Sequence, residues 1–177
     1  MLPVVGVVLT RSFMVMAINV FLPTYLTEIG AGIWLAGAAL AIYEAAMIIG
    51  TFFGGSISDR LGRRKVLLIS MIGVPILMLA FLNSQGWLRL ILLFSIGLLA
   101  GPATPVLLAI VQESFPENRS FANGLYMASS FIIRSLASVL LGVFGDWFGL
   151  GTAFTISAIL VVFGIPFVRK LPRKLGG

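Results

Sequence analysis

The sequence predicts an all-α, polytopic membrane protein with six transmembrane helices. Three observations lead there. Hydrophobic residues make up 59% of the 177 and charged residues only 10%, with a mean hydropathy of +1.11. A soluble domain needs far more charge to cover its surface, so lipid is the expected solvent. The apolar residues also fall in continuous runs, several longer than ~18 residues, rather than in the alternation of a barrel strand. Hydrocarbon offers no hydrogen-bond partner, so each such run must close its own backbone bonds as a helix. Finally, lysine and arginine gather in alternate connections, as an up-and-down bundle of spans requires.

The first span is expected over Val4–Thr27 and carries Arg11 and Asn19. It exceeds the core of a signal peptide and lacks a small-residue cleavage site, so it is expected to stay in the mature chain. The second span, Ile33–Ile57, holds Glu44 near its middle. The third, Val66–Leu82, is short and expected to begin earlier, with Pro75 making only a bend. The fourth, Trp87–Val111, contains Gly97, Gly101, Pro102 and Pro105. Proline removes a donor and clashes with the preceding turn, so a kink is expected here. Breaks of this kind accompany substrate paths in transporters, while the Gly97-x-x-x-Gly101 spacing also suits plain close packing. The fifth span, Phe121–Phe144, holds Arg134, and the sixth is Leu150–Val168. At ~1.5 Å per residue each can cross a core of ~30 Å. Trp87 and Trp147 are expected as interfacial anchors.

Orientation follows from the cations. Arg60, Arg63, Arg64 and Lys65 follow the second span, Arg119 the fourth, and Arg169, Lys170, Arg173 and Lys174 the sixth. The opposite face has Arg89 alone. The bias places both termini in the cytoplasm, where the sequon at Asn118 is not expected to be used. A net charge of +6 on so apolar a chain reads as topology-setting loop charge, not a nucleic-acid surface. The absence of cysteine and histidine excludes disulfides, the usual zinc sites and histidine-dependent triads, and no paired catalytic carboxylates stand out. Neither a cofactor nor a metal is expected, and an enzyme is not the reading.

The chain echoes itself. Gly55-x-x-x-Asp59-x-x-Gly62 at the end of the second span returns as Gly142-x-x-x-Asp146-x-x-Gly149 at the end of the fifth, about half the chain later. These spans run in opposite directions, so the expected organisation is a single unit, residues 1–177. It would comprise two inverted three-helix repeats, about 1–86 and 87–168, and a basic cytoplasmic tail, 169–177.

Charges inside the bilayer cost ~2.5–3.5 kcal/mol even on the lenient insertion scale, so Arg11, Glu44 and Arg134 are expected to face protein or water. Glu44 and Arg134 stand at similar depth and have four readings: an ion pair within the bundle, a proton-coupling carboxyl at Glu44, a structural polar contact, or an orientation toward a missing half. Arg11 reads either as an anion-binding cavity residue or as a side chain that snorkels to the interface. Asn19 lies two turns further on, and shares that face or makes an interhelical hydrogen bond.

The stretch GGSISDRLGRR resembles the signature between the second and third helices of each half of major facilitator superfamily transporters, matching at Gly55, Asp59, Arg60, Gly62, Arg63 and Arg64. The later stretch GPATPVLLAIVQESFPENRSFANGLY, through Glu113, Pro116, Arg119 and Gly124, looks like the fourth helix, loop and fifth helix of such a half. With FIIRSLASVLLGVFGDWFG, the chain is most similar to the C-terminal half of bacterial drug- or fosmidomycin-resistance-type members. The resemblance implies a secondary transporter of the bacterial inner membrane. Such a protein moves a small organic solute by alternating access, with drug efflux and proton coupling as its finer form. It also implies a second six-helix half, from this or another chain. Asp59 would then touch that half and close a cytoplasmic gate, and Arg60, Arg63 and Arg64 would pair with Glu113 and Glu117. The plainer reading of the arginines is topology and anionic lipid. For the whole chain the alternative is a non-transporting membrane fragment or assembly partner.

Overall fold

The computed structural model describes residues 2–171; Arg173 and Lys174 of the basic tail lie outside them. Six helices are long and apolar enough to cross a membrane: α1 (Leu2–Glu28), α2 (Ile33–Leu61), α3 (Arg63–Leu82), α4 (Trp87–Ser114), α5 (Pro116–Phe148) and α6 (Leu150–Arg169). The chain is an integral membrane protein. Every expected span is present, and α3 begins at Arg63, earlier than its apolar run. The helices outrun the apolar runs because a backbone already hydrogen-bonded as a helix continues into the headgroup region, where charge costs little. For the same reason Arg169 belongs to the last turn of α6 rather than to a tail.

Three helices, α2, α3 and α5, are continuous through the hydrocarbon; α1 and α4 are interrupted near mid-span and α6 nearer its end. In α1 a π-turn spans Ala17–Phe21, just ahead of Pro23. In a regular helix the Pro23 ring would strike the Asn19 carbonyl, and the wider turn relieves that clash. In α4 the α-helical segments Trp87–Ala100 and Ala103–Ser114 meet at Gly101–Pro102, where the kink was expected. In α6 a turn at Phe163–Gly164 precedes Pro166, a break that the sequence reading did not anticipate. Pro75 leaves α3 unbroken.

The core lies along the bundle axis. Helix α2 packs mainly on α4, α5 on α1, α3 on α4, α6 and α2, and α6 also on α1 and α5. The helical stripe Ala36, Ala39, Tyr43, Ala46, Gly50, Gly54 and Ser58 is the buried face of α2; its small residues let α4 approach. Exchanging α1, α2 and α3 for α4, α5 and α6 leaves this list of neighbours unchanged. The two short connections also match: Gly62 joins α2 to α3 at φ 91°, and Gly149 joins α5 to α6 at φ 81°.

Candidate functional site

Two groups of the expected residues have defined surroundings. The first sits where α2 ends, α3 starts and α4 ends, a corner called here the basic face. Arg63, in the first turn of α3, ion-pairs with Glu113 in the last turn of α4, and its Nη2 lies 3.9 Å from Asp59 Oδ1. These are the ion pairs among the described residues. Asp59 itself is 69% exposed, so it is tethered weakly and stands clear of the bundle. Arg60, Arg64 and Lys65 line, with Asp59, a recess of about 680 Å³ at the same corner; of the arginines only Arg63 takes a carboxylate, and Glu117 is exposed.

The glycines of this motif divide. Gly62 is needed for its backbone: a φ of 91° lies in a region that side chains disfavour. Gly55 makes no close approach within the six-helix unit. A side chain at Gly55 would meet nothing within 4 Å. The close approach belongs to Gly54, where a Cβ would stand 2.6 Å from the Pro102 Cα. Helical phase decides this, since Gly54 lies on the α2 stripe facing α4 and Gly55 about 100° away.

The second group surrounds the break in α4. Pro102 and Pro105 have no N–H, so the carbonyls one turn earlier, at Leu98 and Gly101, lose their helical donors. Each finds a substitute on α2. The Thr51 hydroxyl stands 3.1 Å from the Gly101 oxygen and donates to it, sharing its proton with Met47 O at 2.8 Å. Gly50 turns its bare Cα toward the Leu98 oxygen, and Gly101 and Gly97 do the same toward the carbonyls of Met47 and Tyr43. Such Cα–H···O contacts are weak singly and recur where helices touch backbone to backbone. From the other side Arg11 of α1 uses Nη2 to donate to Ala100 O at 3.1 Å and to Thr104 Oγ1 at 3.0 Å. Its charge therefore sits at the C-terminal end of the first α4 segment, where the helix dipole favours a cation. Arg11 is half-buried, with its Nη2 engaged on α4.

The remaining expected residues are placed but not joined. Glu44 and Arg134 are both half-buried, and neither ion pair includes them. The physical reason is adjacency: α2 packs on α4 and α5 on α1, so equal depth does not bring the two side chains together. Asn19 lies in the π-turn of α1 with Oδ1 buried and unpartnered. Sequence reasoning missed Thr51 and Thr104, which only the proline-freed backbone makes useful. It also missed Tyr43, fully buried with its hydroxyl unpartnered, and the Gln112–Asn123 hydrogen bond (3.4 Å) that ties α4 to α5. Among the described residues no cluster suited to a metal ion occurs.

Comparison with known proteins gives a consistent pattern. A family model described as Major Facilitator Superfamily matches residues 4–176. The fosmidomycin resistance protein of Escherichia coli is 28% identical over 163 residues, covering 89% of this chain and 39% of that protein. The multidrug resistance protein MdtG of Escherichia fergusonii is 31% identical over 150 residues, or 80% of this chain and 36% of the relative. The inner membrane transport protein YnfM of Escherichia coli is 27% identical over 156 residues, 86% of this chain and 37% of the relative. The chain thus spans less than half the length of the curated relatives it matches.

Proposed function

The chain belongs to the Major Facilitator Superfamily, and from that premise we propose that it works as one six-helix half of a secondary transporter for a small organic solute. The observation that carries this reading is the placement of Glu44 and Arg134. Both lie mid-span on α2 and α5, both are only half covered by the bundle, and α2 and α5 bury the smallest shares of their apolar windows. Lipid beside such charges costs ~2.5–3.5 kcal/mol each, so a second polar-lined surface or a water-filled path belongs there. A second six-helix half, from this chain or another, supplies it. The unchanged neighbour list on exchanging the first and last three helices supports two inverted repeats within the half.

Alternating access then uses the basic face. Asp59, exposed and weakly held, reaches the opposing half when that face closes. Arg63, anchored on Glu113, holds the corner in place as the halves rock. Glu44 is the proton-coupling carboxyl, because the other membrane carboxylates lie at the helix ends. Cation placement supports a cytoplasmic location for the basic face and both termini, and bacterial relatives support the inner membrane. Their names make fosmidomycin and other drugs the first solutes to try.

The test is flux in proteoliposomes under an imposed pH gradient, with fosmidomycin and a panel of drugs as probes and native mass spectrometry reporting assembly. Glu44→Gln is expected to abolish gradient-driven accumulation while leaving solute binding intact. Unchanged driven flux removes Glu44 from the coupling path. A monomer with no solute binding favours the other reading, a non-transporting assembly partner, since a lone half encloses no path.

A further inference from the structure

A small cavity lies inside the bundle, between α1, α2, α3, α4 and α6. It measures about 20 Å³ and is bordered by Arg11 of α1, Tyr43 of α2, Ser70 of α3 and Ala100 of α4, with apolar side chains including Met14 and Met71 completing the wall. Two of its features conflict with a plain apolar packing defect. Tyr43 is completely buried, yet its hydroxyl has no hydrogen-bond partner in the protein. Arg11 spends Nη2 on Ala100 and Thr104, which leaves the donors on Nε and Nη1. A buried hydroxyl without a partner is among the costlier defects a fold can carry, and the groups that would satisfy it border the same small space.

We propose that this cavity is a binding site for one structural water molecule, which joins the Tyr43 hydroxyl to Arg11 and Ser70. The volume fits one water, which needs roughly 10–15 Å³, and little else. The partner set fits too: a buried water typically makes about three hydrogen bonds. Here Arg11 donates, Tyr43 donates or accepts, and Ser70 does either. Genuinely empty cavities are apolar, so the polar groups in this wall decide the occupant. The water extends the Arg11 contact with the α4 break to α2 and α3, making one hydrogen-bonded hub of four helices. None of this depends on the transport reading, because the cavity is internal to the six-helix unit.

Radiolytic footprinting of the full chain in lipid nanodiscs tests the proposal. Hydroxyl radicals formed from a bound internal water oxidise the side chains beside it, however deeply they are buried. Met14 and Met71 border the cavity, whereas Met78 is equally buried and does not. The expected result is oxidation of Met14 and Met71 several-fold faster than Met78, with Tyr43→Phe reducing the excess and lowering Tm. Labelling of all three at the same slow rate overturns the proposal. So does a rise in Tm for Tyr43→Phe, because removing a truly orphaned hydroxyl stabilises. If Tyr43→Phe does not fold, the methionine ratio in the unmodified chain decides alone.

Discussion

Gly62 holds φ 91° and ψ 132°, and Gly149 holds φ 81° and ψ 151°. These conformations are nearly closed to any residue with a Cβ, at a cost of roughly 1–3 kcal/mol. Gly62→Ala and Gly149→Ala are each expected to lower thermal stability by about that amount, read by unfolding in detergent. Gly55→Ala is expected to be neutral or to stabilise by up to ~1 kcal/mol, since it is helical and unobstructed. Equal stability of all three variants would show that the turns are not set by these backbones. Arg63 and Glu113 form a different kind of contact, with side chains 24% and 31% exposed. A double-mutant cycle with Arg63→Gln and Glu113→Gln is expected to give a coupling of only ~0.2–1 kcal/mol. That coupling should shrink in high salt.

At the scale of elements, the broken α4 is stabilised from outside itself. Thr51 replaces the donor that Pro105 lacks, so the two positions are energetically one. Thr51→Val is expected to cost about 0.6–2 kcal/mol, the range for interhelical hydrogen bonds in membranes. In a Pro105→Ala background the helix recovers its own donor and the same change should cost close to nothing. Additive losses in thermal melts would separate the two positions. The kink was legible in the sequence because proline acts through local chemistry, and the spans were legible because hydrocarbon imposes length and apolarity. What took over the freed carbonyls was not legible. Depth along a span can be counted from residues, but direction around it depends on which helix packs where. That is why Glu44 and Arg134, level in depth, do not meet, and why Gly54 rather than Gly55 faces Pro102. The π-turn in α1 escaped for a related reason: Pro23 signals a disturbance, but not whether the chain bends, widens or breaks.

Across the whole molecule, the contacts that unite the bundle join residues far apart in the chain. Arg11 lies in the first helix, and its partners Ala100 and Thr104 lie in the fourth. A ribosome making this chain delivers the arginine well before these two partners. During that interval the segment carries a charge without its α4 partners, penalised by up to ~2.5–3.5 kcal/mol on insertion scales, enough to weaken its integration. A nascent chain stalled after the second helix is therefore expected to integrate its first segment incompletely. Arg11→Leu should correct this, and so should stalling after the fourth helix. Glycosylation mapping of stalled chains distinguishes these cases, and full integration of the short wild-type chain would refute the idea. On that expectation, the hydrogen bonds that hold the finished protein together also settle its first helix only once the fourth has been made.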